Sequence, residues 1–173
     1  MMSIGEREIA TENSFLTSEL LKGENVFHFF STKTGWNGNA RFTGDHPDIY
    51  SSHRKQLAHF FNMDEECFVF PRQVHGDKIE LVSQVPETVD IAETDALITN
   101  KKGICICVQT ADCVPILIYD PVKNVSAAVH AGWRGTVKKI VSKTIRQMNQ
   151  QFGCNPSDLI AVIGPSISPG VYE

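Results

Sequence analysis

From Val26 to Phe30 the chain is apolar apart from one histidine, a pattern that predicts a short strand. It runs into residues 31–39, where glycine and asparagine tolerate the positive φ angles of turns. Over 48–62, Ile49, His53, Leu57 and Phe60 or Phe61 recur near the helical period, and Pro47 suits a first turn, where a missing N–H costs little. Cys67–Phe70 then reads as a strand closed by Pro71. Ile79–Val85 reads as another, and 86–95 as an acidic, exposed loop. Three nearly continuous apolar runs follow at 104–108, 114–119 and 125–129, as in strands buried on both faces or nearly so. Asp120-Pro121 and Lys123-Asn124 punctuate the second and third as a hairpin connection would. The next segment predicts a helix capped by Thr136, with Val137, Ile140, Val141, Ile145 and Met148 on one stripe and Gly153 as its stop. Leu159–Ile163 returns to a strand pattern before Gly164-Pro165.

Hairpin-like pairs combined with a crossover helix predict an α+β or layered α/β domain. Residues 1–25 lack a comparable pattern and are expected to be weakly structured, which leaves 26–173 as the domain. The last residues, 164–173, read as a loop that either caps the fold or is interrupted on its way into another element.

Composition changes this picture little. A chain of 173 residues, 42% of them hydrophobic, is of single-domain size and can build a real core. The formal charge of -4 includes no basic stripe, so nucleic-acid binding has no support. No basic segment leads into an apolar one at the start, and the apolar runs fall far short of a membrane span. The five cysteines form no dense disulfide framework. A reducing, cytoplasmic setting is therefore expected, with no membrane and no nucleic acid as partner. The protein is expected to be a monomer or a weak homodimer.

Candidate chemistry gathers in three short segments, each following an apolar run: Gln73–Asp77, Thr110–Cys113 and His130–Gly135. Rigid scaffolds hold reactive groups at strand ends. His75, Cys113 and His130 offer two imidazoles and one thiol, a donor set for a borderline-soft metal with one position left for water. Each also has a bland reading: a hydrogen-bonded histidine, or a cysteine packed in the core. A Cys–His nucleophilic pair is the competing chemistry. Asp112 can steer a ligand's second ring nitrogen or accept a proton, or be a turn carboxylate. Arg134, between glycines, can grip an anion bidentately or form an ordinary ion pair. Trp133 can stack on a base or cover the core. Cys105 and Cys107 share one strand face and read as core, with a metal role as the alternative.

The segments PRQVHGD (71–77), ETDALIT (93–99), TADCVPILIYD (110–120), VHAGWRGT (129–136) and AVIGPSIS (161–168) together resemble the bacterial laccase-domain or polyphenol oxidase family. That family is also described as purine nucleoside phosphorylases and as a peptidoglycan editing factor. The resemblance implies a layered α/β/β/α single domain with mixed sheets. It makes His75, Cys113 and His130 the metal ligands. It also implies that this chain, shorter than its relatives, is truncated at the C-terminus and incomplete. The implied activity is a zinc-dependent purine nucleoside phosphorylase with adenosine deaminase activity, with copper as the other possible metal. The implied partners are a purine nucleoside and phosphate. Asp112, Cys113 and Arg134 would be catalytic, and Lys33, Gln73 and Arg134 would contact substrate or phosphate. Lys33 stands where the family often has arginine, and lysine lacks the planar fork. Gly170 and Val171 stand where many members carry cysteines. The alternatives are a copper-dependent phenol oxidase, a cysteine hydrolase acting on cell-wall precursors, and a non-catalytic nucleoside-binding protein. A conventional multicopper enzyme needs several histidine clusters, which six histidines do not supply.

Overall fold

The computed structural model describes residues 15–32, 47–86 and 90–171, and shows a mixed α/β single domain with several sheets and helices. In chain order the elements are β1 (Phe15–Leu16), β2 (Phe30–Ser31), α1 (Pro47–Phe61), β3 (Phe68–Pro71), β4 (Ile79–Leu81), β5 (Asp90–Ile91), β6 (Ala96–Thr99), β7 (Cys105–Ile106), β8 (Val114–Asp120), β9 (Val125–Ala131), α2 (Trp133–Val137), α3 (Ile140–Phe152) and β10 (Ile160–Ile163). The main sheet runs β10-β8-β9-β6-β4. A smaller sheet runs β5-β3-β7, and β1 pairs with β2.

The hairpin β8–β9 forms as its punctuation predicts. Asp120 accepts hydrogen bonds from the Val122 and Lys123 N–H groups, both at 2.9 Å, and Asn124 takes a φ of 53° that asparagine tolerates. Antiparallel pairing then sets Pro115 opposite His130 and Val114 opposite Ala131. It brings the start of β8 beside the end of β9. Antiparallel β6 places Ala96 opposite Val129, and parallel β4 places Ile79 opposite Ala96. Four strand ends, each flanked by a polar segment, therefore meet at one edge of the sheet.

Side-chain alternation divides the core. Ala96, Ile98, Ile116, Ile118, Ala127 and Val129 pack with Ile140 and Met148 of α3. Leu97, on the opposite face of β6, packs with Val69 and Val82. Phe68 and Phe70, flanking Val69 on β3, join Leu57 and Ala58 of α1 and Phe15 in a third cluster. The rings of Phe15, Phe29, Phe60 and Phe61 extend it at centroid distances of 4.5 to 5.3 Å. Each fully buried isoleucine or leucine in these clusters stabilises the fold by about 1.5–3 kcal/mol.

Several expectations shift. The strand predicted over 26–30 is confined to β2, and the one over 79–85 is confined to β4. The acidic loop 86–95 contains the short β5. β6 is a central, fully buried strand of only four residues, too short to stand out as a run. The helix does not begin at Thr136. A separate turn of helix, α2, starts after Gly132, and Thr136 N–H donates to the Gly132 carbonyl at 2.8 Å. Lys139, at a φ of 62°, breaks it from α3. Gly153 ends α3 in the left-handed conformation, as predicted. Among the described residues, no helix is long and apolar enough to cross a membrane.

Candidate metal centre

His75 lies on the loop between β3 and β4, Cys113 directly precedes β8, and His130 is the penultimate residue of β9. One donor atom from each lies within 4.8 Å of the others. The two imidazoles meet edge to face, with centroids 4.8 Å apart. His130 is 2% exposed, whereas His75 sits at the surface. His75 holds a φ of 58°, a conformation that costs a non-glycine residue about 1–3 kcal/mol unless its surroundings enforce it.

Gly132 shows how closely the three ligands converge. A Cβ there would meet His75 Cδ2 at 3.0 Å and Cys113 Sγ at 3.2 Å. Its backbone is in the extended region, so the turn itself does not demand glycine. The missing side chain is what the ligands require. Burial, followed by the charges of Asp112 and Asp95, raises the Cys113 thiol above its ordinary range. Left alone the sulfur keeps its proton, and a bound cation would favour the thiolate. Two imidazoles and a thiol, closed over a glycine, therefore fit a single soft or borderline metal ion.

The carboxylate beside these ligands is Asp95, which the residue patterns did not single out. It is 0% exposed. Its Oδ1 lies 2.7 Å from His130 Nδ1 and accepts from the His75 N–H at 3.0 Å. Its Oδ2 accepts from the N–H groups of Gly76 at 2.8 Å and Val74 at 3.2 Å. Burial alone would raise its pKa, but the hydrogen bonds from His130, Gly76 and Val74 outweigh that and hold it below the ordinary carboxylate value. Asp112 is exposed instead, and its carbonyl accepts from the Ile167 N–H at 3.1 Å. The available signal for Asp95 was its place at the head of the apolar run Ala96–Thr99.

Other predicted residues brace or border the centre. Gln73 donates to the Gln109 carbonyl and accepts from the Gln109 N–H, both at 2.7 Å, tying the His75 loop to the segment before Cys113. Asp77 accepts from Lys143 at 2.5 Å and pairs with Lys138 at 3.3 Å, fastening the same loop to the helices. A Cβ on Gly135 would meet the Gly76 carbonyl oxygen at 2.7 Å, so α2 rests directly on this loop. Trp133 is 60% exposed and does not cover the core. The Arg134 guanidinium lies 5.3 Å from the Trp133 ring. Cys105 and Cys107 belong to the phenylalanine cluster, with their sulfurs 3.8 Å apart. Lys33 lies outside the described residues.

Comparison with known proteins places these observations. A model of the family described as "Multi-copper polyphenol oxidoreductase laccase" matches residues 30–173. "Purine nucleoside phosphorylase YlmD" of Bacillus subtilis (strain 168) is 40% identical over 126 residues, covering 69% of this chain and 45% of that protein. A protein of Bacteroides thetaiotaomicron named "Purine nucleoside phosphorylase" is 37% identical over 164 residues, covering 86% of this chain and 61% of that protein. Among solved structures, the hypothetical protein YfiH of Bacillus licheniformis superposes with a TM-score of 0.74 at 32% identity, covering 83% of this chain and 60% of that one. The chain thus spans about half the length of the curated relatives it matches.

These findings correct the expected activity. The matching family is described by copper and polyphenol oxidoreduction. The gathered donors are the His₂Cys set of trigonal copper sites. Zinc as the metal is overturned in favour of copper. With it go the purine nucleoside phosphorylase and adenosine deaminase reading, the transferase and hydrolase classes, and purine nucleoside and phosphate as partners. The phosphorylase names belong to those relatives, of which this chain spans only part.

Proposed function

The chain belongs to the multi-copper polyphenol oxidoreductase laccase family, and from that premise we propose that residues 26–173 hold one copper ion on His75, Cys113 and His130 and oxidise phenols. The observation that carries this reading is the convergence of two imidazoles and one thiol within 4.8 Å of one another. Among the described residues no other cluster of this kind occurs. Bound copper supplies one-electron redox chemistry between a phenol and dioxygen.

The protein's own groups do the rest. His130 presents Nε2, because Nδ1 is engaged by Asp95. Cys113 supplies the thiolate, and His75 closes the set from the surface. Asp112, exposed beside Cys113, takes up the phenolic proton. Trp133 and Arg134, exposed next to Gly132, offer an aromatic face and a cation to the substrate ring at the rim. Packing of α1 on β3, of β3 on β6, and of α3 on the far face of β6 supports a layered α/β/β/α reading of the fold. The five unpaired cysteines support a reducing, cytoplasmic setting.

The test is metal analysis and oxygen uptake. Copper-loaded protein is expected to retain one copper per chain in competition with zinc and to consume oxygen when a catechol is added. His75→Ala and Cys113→Ser should lose both properties. Preference for zinc over copper would overturn the proposal. So would absence of catechol-dependent oxygen uptake together with phosphate-dependent release of free base from inosine.

A further inference from the structure

We infer that Asp95 is the positioning residue of this centre: one buried carboxylate turns the His130 ring toward the ion and holds the loop that presents His75. The inference rests on the reading of His75, Cys113 and His130 as the metal site, and extends it to a residue whose side chain is not among the three donors.

The His130 half follows from donor and acceptor counting. A carboxylate that receives N–H groups from Val74, His75 and Gly76 can only accept. At 2.7 Å from Oδ1, Nδ1 of His130 must therefore carry the ring proton. A neutral imidazole has one N–H, so the lone pair is left on Nε2, the nitrogen free to face Cys113 and His75. The opposite tautomer would set two acceptors against each other at that distance and point an N–H at the metal position.

The His75 half follows from the backbone. Three successive N–H groups, from Val74, His75 and Gly76, converge on the two carboxylate oxygens at 3.2, 3.0 and 2.8 Å. This is an anion nest with the anion supplied by the chain itself. It explains why a histidine can sit at a φ of 58°. A Cβ on Gly76 would lie 3.3 Å from Asp95 Oδ2, so the approach leaves little room for a side chain there. Asp95 is itself fixed from both sides: its N–H donates to the Lys78 carbonyl at 3.0 Å, and its carbonyl accepts from the His130 N–H at 2.8 Å. The loop ligand and the strand ligand are thus referenced to one group. Partners in this relation to a metal-bound histidine alter metal affinity by roughly 10–100-fold when removed.

Two measurements test this. In metal-free wild-type protein with ¹⁵N-labelled histidine, two-bond ¹H–¹⁵N correlation spectra should show His130 protonated at Nδ1. A predominant Nε2–H form would overturn the inference without reference to any metal or variant. In Asp95→Asn, the side-chain amide offers one acceptor in place of two, so copper affinity by chelator competition should fall roughly 10–100-fold. The thiolate-to-copper absorption band should shift, while urea unfolding of the metal-free variant stays cooperative. Wild-type affinity together with an unmoved band in Asp95→Asn would overturn the inference. Should Asp95→Asn not fold, the wild-type tautomer decides. Should wild type bind no copper, the metal reading fails while the tautomer measurement still judges Asp95.

Discussion

Replacing Gly132 by alanine separates the demands of the ligands from those of the fold. Gly132 has φ -70° and ψ 167°, a conformation open to any residue, so alanine brings no backbone strain. At a compatible site the exchange reduces the freedom of the unfolded chain and favours folding by about 0.4–1 kcal/mol. The new methyl would meet His75 Cδ2 at 3.0 Å and Cys113 Sγ at 3.2 Å. Carbon atoms pack best at about 3.5–4.0 Å, so His75 must retreat by roughly 0.5–1 Å. His75 is at the surface and can yield, which should keep the net change in metal-free stability below about 1 kcal/mol. Metal bonds tolerate only about 0.2 Å, so the displacement falls on binding. Copper affinity is expected to drop at least about tenfold, or roughly 1.4 kcal/mol. Competition against a graded chelator measures the affinity, and urea unfolding of the metal-free protein measures the fold. Unchanged copper affinity and an unchanged visible spectrum would refute the argument, because the three ligands could not then be closing on an ion at this glycine. Loss of cooperative unfolding would refute it differently, by showing that the glycine serves the fold.

Gly135→Ala should behave differently from Gly132→Ala: its methyl would meet a backbone carbonyl at 2.7 Å that cannot swing aside, so a stability loss of about 1–3 kcal/mol is expected by thermal unfolding, with weaker copper binding alongside. Asp77 is held below its ordinary value of 3.8, first by the hydrogen bond from Lys143 and then by that from Lys138. Its contribution to stability is therefore present above that ordinary value and is lost as pH falls through the depressed folded one, so Asp77→Asn should flatten the acid limb of the urea-midpoint profile. His28 accepts from the Ser18 N–H at 2.8 Å, and burial keeps its imidazole below the ordinary 6.5. Its contribution should be full above that value and decline as pH drops below it, a slope that His28→Gln should remove from the same profile; an identical slope in the variant would count against the assignment.

What the sequence revealed depended on how local the determinants were. The β8–β9 hairpin was legible because two apolar runs are separated by residues whose side chains and φ preferences make the turn. The α3 stripe was legible because its period is written in consecutive residues. The ligands were each visible as polar residues at strand ends, but their convergence rested on the resemblance, since nothing local relates His75 to Cys113. Asp95 was not legible from residue patterns. Its function comes from the pairing of β6 with β9 and from a loop that precedes it by twenty residues in the His75 contact. The start of α2 was misplaced because the sequence offers Thr136 as a cap, whereas the structure uses Gly132, which has no side chain to signal it. Gly132 and Gly135 look like turn residues in sequence and act as points of close approach in space.

The site therefore depends on register more than on any single loop. Sliding β9 by one residue against β8 would turn His130 to the opposite face of the sheet, away from Cys113, because side chains alternate. The constraint lies at the far end of the hairpin, where Asp120 holds the Val122 and Lys123 N–H groups and the Tyr119 hydroxyl donates to Asn124 at 3.0 Å. It is reinforced on the other side by β6, whose pairing sets Ala96 against Val129 and so delivers Asp95 to His130. Turn chemistry at one edge and strand pairing through the centre together determine which atoms meet at the opposite edge. The donor set is assembled by the sheet, and the loop carrying His75 is drawn to it by the one carboxylate that the sheet has already placed.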